Sequence, residues 1–212
     1  FSEDNGRGSR IGNSRISFTY PKTAGGSGEQ PGADEAFRYS TPSEWARESI
    51  SRAYQMDLVP GYMLMDYPLA TTRLDFVRLA YSVIENQCGD MQKVLYEYGA
   101  VEAPDVDPEY VFEDMPEDSG YDGRDGYRIA ALNALGIING VGGNRFEPDR
   151  AITREEAAAL LNRIHSFIRW GEVRYYYYEG SLDHLYGDND EISDWAFYDV
   201  YNMRSIQVMN GV

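Results

Sequence analysis

An internal repeat is the feature that most constrains how this chain can fold. Three segments align without gaps, and each closes on a glycine: WARESISRAYQMDLVPG (45–61), RDGYRIAALNALGIING (124–140) and WAFYDVYNMRSIQVMNG (195–211). Apolar residues share five columns of this alignment: Ile50/Ile129/Val200, Ala53/Leu132/Met203, Met56/Leu135/Ile206, Leu58/Ile137/Val208 and Val59/Ile138/Met209. The early spacings of three and four predict one face of a helix, and the last apolar pair predicts a short extended exit. Such self-similarity indicates repeated units that share a core.

The first two units also share a second half that begins with a helix cap. It runs VGGNRFEPDRAITREEAAALLNRI in unit two and YMLMDYPLATTRLDFVRLAYSVI in unit one, where the loop is two residues shorter and lacks the glycines. Thr153 with Glu156, and Thr72 with Asp75, have the spacing of a capping box. In this motif the threonine oxygen accepts one helix amide and the acid accepts the threonine's own amide. Unit three stops at Val212, before any second half.

The capping box places an arginine, Arg154, at the first position of a helix. The helix macrodipole disfavours a cation there by roughly 0.3–1 kcal/mol. We therefore expect a compensating partner. A nearby carboxylate could supply it, because the chain has 35 acidic residues, and simple solvent exposure is the remaining alternative.

Composition excludes several classes of function. The net charge of −16 argues against nucleic acid as the main partner, because counterion release needs clustered cations. The single cysteine, Cys88, excludes an internal disulfide and is expected to be an inert helix-face residue. No apolar run approaches the ~20 residues of a membrane span. The chain begins at Phe1, so we expect a processed chain or a fragment.

The Trp-Ala start of units one and three, the run GIINGVGGNRFEPD and the capped ITREEAAALL together resemble the S-layer homology module of bacterial surface proteins. The resemblance covers roughly residues 40–88, 109–168 and 186–212. It implies a mainly α-helical, pseudo-threefold bundle of helix–loop–helix repeats with short extended segments. It also implies non-covalent binding to secondary wall polysaccharide, often pyruvylated. The family's Thr-Arg-Ala-Glu motif matches residues 153–156 with one change and residues 72–75 with two, while Arg124 replaces the expected tryptophan.

This resemblance suggests a ligand as the partner that compensates for the charge of Arg154. A pyruvyl or other carboxylate could meet the Arg154 guanidinium, the free amides and the positive end of the dipole together. The candidate ligand-binding residues are Arg154, Arg73, Thr153, Glu156, Asp75, Asn144, Trp45 and Trp195. For Thr153 and Glu156, capping is favoured over ligand contact. For the two tryptophans, packing at a helix start is favoured over stacking on a sugar.

Catalytic and metal-binding patterns are weak in this sequence. His165 and His184 have no metal-type spacing, and no nucleophile elbow, phosphate loop or dinucleotide fingerprint occurs. GDNDEISD (187–194) resembles the start of a calcium loop but lacks its central glycine, so Ser193 or Asp194 is expected instead to cap a helix near Trp195. We expect no catalytic residue, no cofactor and no metal.

The segments around the repeats complete the domain prediction. Residues 1–39 are predicted to be a linker or the tail of an upstream domain, with a possible strand at RISFTY. Repeat one, with a degenerate loop, covers 40–89, and an acidic connector with a short helix at MQKVLYEYG covers 90–108. Repeat two covers 109–170, a Tyr-rich linker 171–185, and the first half of repeat three 186–212.

The predicted function is non-enzymatic anchoring at the bacterial cell surface, outside the cell. The partner would be cell-wall polysaccharide held in grooves between repeats, with no nucleic acid and no membrane span. One alternative is an assembly module that acts through contacts with other surface-protein chains, where the first loop and Tyr175 to Tyr178 would take part. Another is a non-catalytic part of a surface enzyme whose catalytic domain lies upstream of Phe1.

Overall fold

The computed structural model describes residues 41–65, 67, 69–98, 111–116, 123–173 and 186–210. The helices are α1 (Glu44–Gln55), α2 (Arg73–Cys88), α3 (Met91–Tyr98), α4 (Asp125–Ala134), α5 (Arg154–Trp170) and α6 (Phe197–Ser205), with single 3₁₀ turns at Gly61–Met63 and Asn189–Glu191. Within these ranges the extended pairing is limited to isolated bridges such as Thr72 with Ala151. The prediction of a mainly α-helical chain is confirmed. The expectations for residues 1–39 and for Tyr175 to Tyr178 fall outside the described residues.

The first helices of the three units end in the same way. A residue with positive φ follows each of α1, α4 and α6: Asp57 (56°), Gly136 (70°) and Gln207 (61°). In each case the next amide bonds back across the turn, as from Leu58 to the Ala53 carbonyl at 2.9 Å. The same bond joins Ile137 to Leu132 and Val208 to Met203, both at 2.9 Å. This is the Schellman arrangement, and it satisfies carbonyls that a helix end leaves free.

Both predicted capping boxes are present. The Thr72 hydroxyl accepts the Asp75 amide at 3.1 Å, and Asp75 accepts the Thr72 amide at 3.3 Å. The Thr153 hydroxyl accepts the Glu156 amide at 3.2 Å, and Glu156 accepts the Thr153 amide at 2.9 Å. The helices α2 and α5 therefore begin where local sequence chemistry predicts.

The main hydrophobic core lies between α2, α3, α4 and α5. Its fully buried side chains include Val77, Ile84, Leu95, Ile129, Leu132, Ile137, Ile138 and Phe146. The helix α2 packs on α4 and α5 packs on α6, so the second helices of units one and two meet the first helices of units two and three. Met203 of α6 is buried, whereas α1 contains no buried residue. The pseudo-threefold closure of the bundle stays a prediction.

Two local expectations were wrong. Trp45 and Trp195 are 86% and 56% exposed, so neither ring is a packing anchor. The helix α6 begins at Phe197 after Ala196 and has no side-chain cap. The hydroxyl and amide of Ser193 both bind Glu155, a partner that is distant in sequence. Ser193 therefore binds the Glu155 carboxylate and does not cap α6.

No helix in the described ranges has the length and apolar character needed to cross a membrane.

Candidate functional site

The two arginines that follow the capping threonines occupy different environments. Arg73 is only 6% exposed. Its Nε donates to the carbonyl of Phe146 at 2.7 Å and its Nη2 to the carbonyl of Asn139 at 3.1 Å. Its Nη1 pairs with Glu156 at 3.0 Å, and the guanidinium lies 4.6 Å from the centre of the Phe146 ring. Burial lowers the pKa of Arg73, although Glu156 opposes that shift. This geometry describes a structural residue with little surface left for a ligand.

Arg154 is exposed and has a simpler set of contacts. In the described part of the chain, its guanidinium donates through Nη2 to the backbone carbonyl of Asn210. Among the described residues, the partner that compensates for a cation in this first helical turn is therefore a main-chain oxygen, not a carboxylate. This bond uses one N–H group of the guanidinium, so its other N–H groups can donate to a further acceptor.

Arg154 lies on a groove between the start of α5 and the third unit, called here the Arg154 groove. Its volume is about 900 Å³. The residues that line it are Thr153, Arg154, Glu155, Tyr186, Gly187, Asp188, Glu191, Ile192, Val200, Arg204, Met209 and Asn210. The lining combines an aromatic ring, two guanidinium groups, three carboxylates and apolar side chains. Such a mixture can contact both the apolar faces and the hydroxyl groups of a sugar.

Specific contacts hold the walls of the Arg154 groove. Tyr186 donates from its hydroxyl to the Met209 carbonyl at 3.1 Å, which ties the entry segment to the exit of unit three. The Arg204 guanidinium lies 4.7 Å from the centre of the Tyr186 ring. This distance is within the range of a cation–π contact, so one face of the tyrosine is already covered.

A network of charges fixes the start of α5. Glu156 accepts from Arg150 at 2.5 and 3.1 Å and from Arg73 at 3.0 Å. Burial alone would raise the pKa of Glu156, but the hydrogen bonds from Arg150 and from the Thr153 amide hold it below its usual value. The carboxylate thus stays ionised and joins the two units.

A second groove, of about 420 Å³, lies between α2 and α4 and includes Arg78, Arg124 and Arg128. Arg78 binds the buried Asp125 through Nε at 3.1 Å and Nη2 at 2.5 Å, and Arg128 binds it at 3.0 Å. Desolvation would raise the pKa of Asp125, but these hydrogen bonds and charges lower it. Because Asp125 already engages two of the three arginines, we assign this cluster to structure.

The other predicted site residues are dispersed. Asn144 is exposed in a tight turn with φ of 56°, and its carbonyl accepts the Glu113 amide at 2.9 Å. Asp75 pairs with Arg78 at 3.0 Å as well as capping α2. Neither these two residues nor Trp45 and Trp195 are among the residues that line the Arg154 groove. Their roles in ligand binding stay predictions.

Sequence reasoning missed several residues of the groove. Glu155, Tyr186 and Arg204 were not among the candidates, and neither was the carbonyl of Asn210. A signal existed for Asn210, because it directly precedes the glycine that closes unit three. Tyr186 and Arg204 belong to a segment whose placement depends on long-range packing, so the sequence offered no comparable signal for them.

Comparison with known protein families matches residues 125–158 to the S-layer homology domain. The matched stretch begins with α4 and ends in the first turns of α5, so it includes the capping box and Arg154. Neither a comparison with curated proteins nor one with solved structures gave a match.

Proposed function

We propose that this chain, in which residues 125–158 match the S-layer homology domain, anchors a protein by binding cell-wall polysaccharide in the Arg154 groove. S-layer homology domains are non-catalytic modules that attach proteins to the bacterial cell wall. A wall polysaccharide would lie along Tyr186 and Val200 and place an acidic or hydroxyl group against Arg154.

The environment of Arg154 carries this proposal. Its guanidinium is exposed, lies at the start of a capped helix and borders a groove large enough for more than one sugar residue. An anionic group there would gain a charge-assisted hydrogen bond and the favourable end of the helix dipole. The buried Arg73, whose three nitrogens are all engaged, does not combine these properties.

Binding of purified wall polymer to Arg154→Ala tests the proposal. Loss of one charge-assisted contact should weaken saturable binding about tenfold, which corresponds to about 1.4 kcal/mol. Arg47→Ala is the matched control, because it removes an arginine of α1 that is also exposed. Equal affinities for the two variants would refute the role of Arg154. Absence of saturable binding by the unmodified chain would refute the function itself.

The exposed tryptophans favour a second candidate function. Trp45 is 86% exposed at the start of α1, and large exposed aromatic rings occur in protein–protein contacts. An assembly module would show concentration-dependent association that Trp45→Ala weakens, with no dependence on wall polymer. Sedimentation velocity across a concentration series distinguishes this function from anchoring.

A further inference from the structure

Glu155 binds a segment that is distant from it in sequence. Its Oε2 accepts the backbone amide of Ser193 at 3.0 Å, and its Oε1 accepts the Ser193 hydroxyl at 3.1 Å. The two bonds together fix both the position and the orientation of the segment, since each carboxylate oxygen has its own donor. Ser193 follows the 3₁₀ turn Asn189–Glu191, which contributes to one wall of the Arg154 groove.

The neighbouring residue holds the other wall. Arg154 donates to the carbonyl of Asn210, in the exit of unit three. Arg154 and Glu155, which are consecutive in the first turn of α5, therefore each form hydrogen bonds with one side of the groove. The helix dipole also favours an acid in this turn, so Glu155 binds the wall segment without destabilising its own helix.

We propose that Glu155 is a positioning residue for polysaccharide binding, an inference that rests on the proposed function. Each of its oxygens accepts a bond from Ser193, so the carboxylate would act on the ligand by fixing the wall that the ligand contacts. Without the carboxylate, the segment that ends at Ser193 would keep its link through Tyr186 to Met209 but lose its attachment to α5. The groove would then have to be ordered by the ligand, and ordering a segment on binding lowers affinity.

The test compares Glu155→Ala, Glu155→Gln and Ser193→Ala in the full chain. Glu155→Ala should weaken binding of purified wall polymer about tenfold, chiefly through faster dissociation. Glu155→Gln should restore part of the loss, because its amide oxygen can still accept one of the two bonds. Ser193→Ala should cost less than Glu155→Ala, since the backbone amide remains a donor. Glu48→Ala in α1 removes the same charge from an exposed site and serves as the control.

A second measurement separates positioning from general stability. Hydrogen exchange at the Ser193 amide should accelerate in Glu155→Ala, while the buried amides of α5 keep their protection. Unchanged exchange at Ser193, or wild-type affinity in Glu155→Ala, would overturn the inference while leaving the proposed function intact. If the unmodified chain fails to bind wall polymer, the proposed function falls, and the affinity role of Glu155 falls with it.

Discussion

Arg73 donates a hydrogen bond from Nη2 to the backbone carbonyl of Asn139, over 3.1 Å. Arg154 makes the same bond to the carbonyl of Asn210. Both arginines follow a capping threonine, and both acceptors directly precede a glycine that closes a repeat unit. In each case an arginine at the start of a unit's second helix reaches the exit of the next unit. The cation at the start of α5, unexpected from dipole considerations, is thus part of a contact that occurs twice.

Replacing these two arginines should lower the free energy of unfolding by different amounts. Arg73→Ala removes a buried cation that binds Glu156 and two carbonyls, so we expect the free energy of unfolding to fall by about 3 kcal/mol. This value is at the lower end for a broken buried ion pair, because Arg150 still binds Glu156. Arg154→Ala should cost less than about 1 kcal/mol, because that side chain is exposed. Denaturant unfolding measures both. Equal losses would contradict the contrast between the two environments.

The Schellman turns predict a stabilising substitution. Gln207 has φ of 61°, a left-handed conformation that costs a residue with a Cβ roughly 1 kcal/mol. Gln207→Gly should therefore raise the free energy of unfolding, although the greater freedom of glycine in the unfolded chain reduces the gain.

Gly136 is the matched control for this experiment, because it occupies the equivalent turn after α4 with φ of 70°. A Cβ there would meet its nearest atom, of Val173, at 4.0 Å, so Gly136→Ala tests conformation without a steric clash. We expect a loss of about 1 kcal/mol in thermal or denaturant unfolding. A neutral Gly136→Ala would show that the left-handed turn carries little cost in this chain.

The interface between α5 and α6 should respond to pH through Asp199. This carboxyl is 6% exposed and accepts from Asn162 at 2.6 Å. Burial raises its pKa in spite of that hydrogen bond and of the nearby Arg163. The contribution of Asp199 to the free energy of unfolding is therefore complete below its pKa in the unfolded chain, about 3.9. It is lost as the pH rises through its higher pKa in the folded protein.

Asp199→Asn removes this titration while keeping an oxygen that Asn162 can bind. The variant should match the unmodified chain near pH 4 and exceed its stability at pH 7 by more than the ~0.5 kcal/mol scatter of surface substitutions. Denaturant unfolding from pH 4 to pH 7 gives the difference, with the exposed Asp194→Asn as control. A stability difference that does not change with pH would show that Asp199 does not titrate in this range.

Chelators should leave the melting temperature unchanged, and the chain should not hydrolyse wall glycans or peptides. In the described ranges no group of three or more His, Cys, Asp or Glu side chains is placed to hold a metal ion. The acidic segment 187–194 instead supplies Ser193 to Glu155 and part of the groove wall. A drop of several degrees with EDTA would identify a metal site in the chain.

The sequence predicted those parts of the structure that depend on neighbouring residues. Thr153 and Glu156 are three positions apart, and a capping box needs nothing beyond that spacing and a helix after it. The short helix α3 followed from its own apolar spacing in the same way. The partner of Ser193 could not be predicted like this. A hydroxyl four residues before the first residue of α6 can cap a helix or bind elsewhere, and the position of Glu155 decides which occurs.

The burial of Arg73 illustrates the same limit for the candidate site. Its motif is nearly the same as that of Arg154, yet Phe146, 73 positions further along, closes over one arginine and not over the other. Likewise, the shared Trp-Ala pattern did not indicate that the rings of Trp45 and Trp195 would face solvent. Local patterns gave the positions of these residues in the helices, while packing between units decided their exposure.

The contacts of Arg73 with Asn139 and of Arg154 with Asn210 both end on main-chain oxygens, which every amino acid possesses. Asn139 and Asn210 could therefore be exchanged for most other residues without removing the acceptor, provided that the backbone keeps its path. For these two carbonyl contacts, the demand for a particular side chain falls on the donor alone. Successive copies of such a unit can diverge widely at their exits during evolution and still recognise their neighbours, so sequence drift there would be a poor guide to loss of assembly.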